Sequence, residues 1–89
     1  MIKSGDYNKL KKILLEEFEN KRVCITLKGM VNTSIVIDNT KIIINKHKII
    51  LSDENNEFEL EFLMVKKIQF DEKWHIQIFF DELKITIEV

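Results

Sequence analysis

The sequence predicts an α+β fold in which one N-terminal helix is followed by a six- or seven-stranded antiparallel meander, forming a curled sheet or a small barrel. Three observations lead there. Apolar residues recur at spacings of three and four only between residues 4 and 20; from Arg22 to the end the apolar period is two; and the extended segments are separated by short polar turns, which suit hairpins rather than parallel crossovers. The chain has 89 residues, of which 45% are hydrophobic and 33% charged. That is enough for one core in a single domain over residues 1–89, and too ordered a mixture for a disordered segment.

The helix is expected over about residues 4–20. Tyr7, Leu10, Ile13, Leu14 and Phe18 fall on one stripe, and Ser4 and Asp6 are both candidate N-caps. Lys9, Lys11 and Lys12 come early and Glu16, Glu17 and Glu19 late, against the preference of the helix dipole. A helix of this length is marginal alone. Its Leu10/Leu14/Phe18 face must therefore dock on the sheet.

Antiparallel strands are expected over about 22–89. Val23, Ile25 and Leu27 alternate with Cys24, Thr26 and Lys28, and Lys28-Gly29-Met30-Val31 reads as a tight hairpin with Gly29 supplying a positive φ. Strands over 31–38, 41–45 and 48–52 follow, divided by Asp38-Asn39-Thr40 and Lys46-His47. After the Asp53–Asn56 loop, Glu57-Phe58-Glu59-Leu60-Glu61-Phe62 is the cleanest alternation in the chain, with its carboxylates expected opposite Lys66, Lys67 or Lys84. Residues 63–70 continue extended or bend near Lys66-Lys67, and the remaining strands run over 74–80 and 83–89, with turns at Asp71-Glu72-Lys73 and Asp81-Glu82. Trp74 shares its phase with Ile76, Ile78 and Phe80, which assigns it to the core.

The middle segment departs from this pattern, since Ile35-Val36-Ile37, Ile42-Ile43-Ile44 and Ile49-Ile50-Leu51 are apolar on both faces. One face of an antiparallel sheet commonly meets water. The off-phase residues Val36, Ile43 and Ile50 are therefore expected at a partner interface, with a second copy of the chain as the first candidate and another protein as the next.

Composition narrows the remaining functions. A net charge of −1 lacks the basic excess of a small dedicated nucleic-acid binder. The single cysteine, Cys24, makes no internal disulfide, and with no secretory signal or membrane-spanning run visible, the expected location is cytoplasmic. By residue type, Cys24 with His47 or His75 supplies a nucleophile and a base. Cys24 lies mid-strand, however, without a glycine elbow or helix N-terminus to lower its pKa, and neither histidine has a second ligand at metal-binding spacing. Glu57, Glu59 and Glu61 read as a solvated face, and Asp53–Glu57 lacks the glycine of a calcium loop. No catalytic residue, metal or cofactor is assigned, and the chain is expected not to be an enzyme.

Lys41, Lys46, His47 and Lys48 form a local basic cluster, expected in two adjoining turns at one end of the sheet and available to RNA phosphates. Leu27-Lys28-Gly29 and Asp38-Asn39, with Ser34 between them, resemble the first signature of the Sm-like family. That resemblance implies a helix with five bent strands, ring assembly and contact with single-stranded RNA at strand-loop turns. It is confined to that short stretch: the glycine inside the second strand is absent, and nothing near Asn45-Lys46-His47 matches the family's second signature. The reading that covers most of the chain is a self-associating interaction module; a ring-forming RNA binder is the alternative.

Overall fold

The computed structural model describes residues 2–72 and 75–89, with Glu72 in backbone only. Trp74 lies outside the described residues. Helix α1 spans Ser4–Ile13 and continues into a π-helical turn, Leu14–Phe18. Among the described residues eight strands follow: β1 Val23–Lys28, β2 Thr33–Ile37, β3 Lys41–Ile44, β4 Lys48–Ser52, β5 Glu57–Glu61, β6 Lys67–Glu72, β7 His75–Phe79 and β8 Lys84–Glu88. The α+β class holds, with eight antiparallel strands.

They do not form one continuous meander. The sequence places hairpin partners side by side, but the structure divides them between a five-stranded sheet, ordered β2-β1-β8-β7-β6, and a three-stranded sheet, ordered β3-β4-β5. The two sheets do not close into a barrel. The chain changes sheet twice, at Asp38–Thr40 and at Phe62–Lys66, and β8 returns to pair with β1 as well as β7.

Register explains which residues are buried. Across the five-stranded sheet, Ile35, Ile25, Ile87, Ile76 and Phe70 lie in one row, each opposite the next. Ile42, Leu51 and Phe58 line up across the smaller sheet, as do Ile44, Ile49 and Leu60. Side chains of alternate residues point to opposite faces, so these rows give each sheet an apolar inner surface. The buried residues form one cluster that includes Leu10, Leu14 and Phe18 of the helix, all fully enclosed.

The π turn keeps those three residues in line. In an α-helix a step of four residues overshoots one turn by about 40°, so Leu10, Leu14 and Phe18 would drift around the axis. The Leu14 carbonyl accepts from the N–H of Glu19, five residues on, at 3.1 Å. A turn wider than four residues reverses the drift. Asp6 in the first turn suits the dipole, but the helical backbone runs on through the π turn, so Glu16 and Glu17 sit at its C-terminal end, against the dipole, and docking offsets that cost. Neither Ser4 nor Asp6 is the cap. Lys3 occupies that position without a side-chain hydrogen bond, and its carbonyl accepts from the N–H of Tyr7 at 2.9 Å.

Gly29 also differs from expectation, because it does not adopt a positive φ. It is needed for space: a Cβ there would lie 2.8 Å from the carbonyl oxygen of Glu82. The left-handed residue is Asn20, with φ 65°, where the chain leaves the helical segment.

Because Leu14 is fully enclosed, Leu14→Ala is expected to lower stability by about 2–5 kcal/mol while keeping the fold, as read by urea denaturation. Wild-type stability in that variant would contradict docking of the helix on the sheets.

Candidate functional site

The two expected binding regions both involve the three-stranded sheet, whose outer face is built by alternation. Ile43 of β3 lies opposite Ile50 of β4, and Ile50 lies opposite Glu59 of β5. Ile43 is 60% exposed; Ile50 is half-buried. The helix leaves this face open, since its one apolar stripe is used in the core. Val36 sits elsewhere, on the outer face of β2 opposite Cys24, with 36% exposure. The structure thus brings Ile43 and Ile50 together as one patch and places Val36 on the other sheet.

Polar neighbours frame the patch. Lys41 is opposite Ser52 and Lys48 opposite Glu61, while Lys48 Nζ lies 3.6 Å from a carboxylate oxygen of Glu59. The β5 glutamates therefore face β4 rather than Lys66, Lys67 or Lys84. The reason is topological, because β5 is an edge strand and the segment carrying Lys66 and Lys67 belongs to the other sheet.

The basic cluster divides in a similar way. Lys46 and His47 occupy the β3–β4 turn, where Asn45 Oδ1 accepts from the backbone N–H of His47 at 2.8 Å and of Lys48 at 3.1 Å. A cleft of about 350 Å³ there is lined by Lys46, His47, Lys48, Glu61, Phe62 and Leu63. Lys41 lies at the other end of β3, contrary to the expectation of adjoining turns. Its Nζ donates to Asn20 Oδ1 at 2.7 Å, and it borders a second cleft, of about 380 Å³, with Asp38, Asp53 and Glu54 in its wall. An acidic setting of this kind opposes phosphate binding. Asp53 itself is engaged by the backbone N–H groups of Asp38, Asn55 and Asn56, which hold its carboxyl below the usual range.

Cys24, Glu88 and His75 share a row on the outer face of the large sheet, with Glu88 on the strand between the other two. Cys24 and His75 are thus two strand spacings apart, roughly 9–10 Å, too far for proton transfer. His47 is in the β3–β4 turn, beside the smaller sheet. Among the described residues no group of three or more His, Cys, Asp or Glu side chains has a metal-binding arrangement.

Sequence reasoning overlooked a polar cluster on that same outer face. Asp71 accepts from Gln69 Nε2 at 2.5 Å and Gln77 Nε2 at 2.6 Å, and its carboxylate lies 2.9 Å from His75 Nδ1. Gln69 and Gln77 are directly opposed, and the register shifts between Phe70 and Glu72. The sequence pattern places Asp71 in a turn, yet it belongs to β6. The available signal was the period-two run Gln69, Asp71, His75, Gln77, interrupted by the presumed turn. Donation from Gln69, with support from Gln77 and His75, lowers the Asp71 pKa below its ordinary 3.8.

Compared with family models, with curated proteins and with solved structures, the chain matches none of them. The Sm-like resemblance implied five strands, and the described residues contain eight.

A carboxyl whose folded pKa is lowered stabilises the fold above its unfolded pKa and loses that contribution as pH falls through the folded value. The wild-type thermal midpoint is therefore expected to fall as pH drops below 3.8, and Asp71→Asn to lose part of that dependence. An unchanged acid profile in the variant would contradict the assigned role.

Proposed function

We propose that this chain is a non-enzymatic interaction module that works by self-association through the outer Ile43/Ile50 surface. The observation that carries this reading is the exposure of Ile43 beside Ile50 on a strand face that no other part of the described chain covers. Each large aliphatic side chain moved from water into a contact contributes about 1.5–3 kcal/mol, offset by the cost of immobilising two molecules. Val36 lies outside this patch and serves as a comparison position. Sedimentation equilibrium is expected to show an assembly larger than the monomer, and Ile43→Lys to give a folded, smaller species. Because Ile43 is already largely solvated, lysine there leaves the core intact. A wild-type protein that sediments as a monomer at high micromolar concentration would overturn the proposal.

A second reading, contact with single-stranded RNA, is favoured by the convergence of Lys46, His47 and Lys48 on one cleft. On this reading affinity for mixed oligonucleotides falls with salt at a slope near 0.7 per neutralised phosphate, and Lys46→Glu weakens binding while Lys41→Glu does not. Absence of binding at low salt would eliminate it.

A further inference from the structure

We infer that self-association proceeds by two-fold antiparallel pairing of β3 with β3 of a second copy, centred on Ile43, so that two three-stranded sheets join into one of six. This rests on the self-association reading above and specifies its geometry. Among the described residues there are four strand edges, since β2 and β6 end the large sheet while β3 and β5 end the small one. Natural edges are commonly guarded by charge, irregularity or cover. On β5, Glu57, Glu59 and Glu61 alternate along one face, so pairing β5 with itself would bring like charges together. On β6 there are Lys67, Asp71 and a register shift. The Val36 carbonyl of β2 already accepts from Asn56 Nδ2 at 3.5 Å. β3, Lys41-Ile42-Ile43-Ile44, carries a single charge, at its first residue.

Backbone directions fix the register. The N–H of Asn45 donates to the Lys48 carbonyl; by antiparallel alternation, residues 41, 43 and 45 turn their backbone groups towards β4, and residues 40, 42 and 44 turn theirs away. Thr40 agrees, because its N–H donates to the Lys21 carbonyl and its carbonyl accepts from the N–H of Asn20. Ile42 and Ile44 remain to pair with a new strand. Opposing Ile42 to the partner's Ile44, and Ile44 to the partner's Ile42, uses both residues of both chains. Centring the two-fold axis on residue 42 would instead oppose Ile44 to the occupied Thr40, and centring it on residue 44 would leave Ile42 beyond the end of the partner strand. The pairing also has natural limits, since Thr40 is engaged and the chain turns away after Asn45.

Side chains agree with this register. Ile43 meets the partner's Ile43 on the outer face, extending the Ile50–Ile43 pair into an apolar row of Ile50, Ile43 and their two counterparts. Lys41 is set opposite the partner's Asn45, with no cation facing it. On the inner face, Ile42 and Ile44 continue the row that leads to Leu51 and Ile49. A head-to-tail arrangement of β3 on β5 would instead set Ile43 against a glutamate.

The test uses the full chain with Cys24→Ser and one added cysteine: Ile43→Cys, Ile50→Cys or Val36→Cys. Across the axis the two residues at position 43 form a non-hydrogen-bonded pair with Cα atoms about 4.5 Å apart, within disulfide range, whereas those at position 50 are separated by three strand spacings. Mild oxidation is expected to link Ile43→Cys into a covalent dimer at least roughly tenfold faster than the other two variants, with a dimeric mass in sedimentation before oxidation. A dimer in which position 43 has no such preference, or an assembly larger than a dimer, overturns this geometry and leaves self-association standing. A monomeric protein overturns both.

Discussion

The fold depends on a junction at Thr40, where the helical segment, the first strand and the passage between sheets meet. Thr40 is the buried polar residue of the described core, and its groups are all engaged. Its hydroxyl donates to the Lys21 carbonyl at 2.8 Å, its N–H donates to the same carbonyl at 3.1 Å, and its own carbonyl accepts from the N–H of Asn20 at 2.8 Å. A buried backbone group without a partner costs about as much as a lost hydrogen bond. Two chain segments that leave regular structure at this point, the end of the π turn and the crossing from β2 to β3, satisfy each other instead. Asn20 can take part because an asparagine tolerates the left-handed conformation that turns the chain from helix to strand.

From that junction the rest of the topology follows. The helix end is fixed next to the start of β3, so its apolar stripe lies over the space shared by both sheets, and the α-to-π transition keeps Leu10, Leu14 and Phe18 directed into it. The final strand then completes the large sheet. Ile85 and Ile87 occupy its centre because β8 lies between β1 and β7. A chain of this size has little core to spare, and placing its last strand centrally enlists Ile85 and Ile87 in that core.

Much of this was legible in the sequence because it is local. Tyr7 to Phe18 showed the helix, the alternation of Glu57 to Phe62 showed β5, and the turn residues of Asp53–Asn56 marked a loop. Partnership is not local. Nothing in Leu83–Val89 specifies that it pairs with Val23–Lys28, so a meander was the simplest expectation and the division into two sheets was missed. Gly29 shows the same limit: its presence in a hairpin suggested a turn conformation, whereas its cause is the carbonyl of Glu82, more than fifty residues away. Lys41 and Lys46 are close in sequence, but a strand lies between them and separates their surroundings. The Ile43/Ile50 patch was partly legible, because off-phase apolar residues can be counted; that Val36 faces another direction depends on the sheet to which β2 belongs.

The strand edges connect the architecture to what the chain can do. Two open sheets leave four edges where a closed barrel would leave none, and an unguarded edge exposes both backbone hydrogen-bonding groups and apolar side chains. The charges on β5 and the irregularity on β6 make those edges poor templates, and Asn56 partly occupies β2. The exposure of Ile43 is thus coupled to the incomplete pairing of β3, since the same lack of a neighbouring strand leaves both the side chain and the backbone open. A strand added at this edge meets both. Binding only to the folded state would raise stability by mass action, so association at this edge would make the stability of a small core depend on the concentration of its partner. For an edge partner the contact would require no rearrangement of the Thr40 junction or of the helix, because β3 lies outside both sheet-crossing connections along its free length from Ile42 to Ile44.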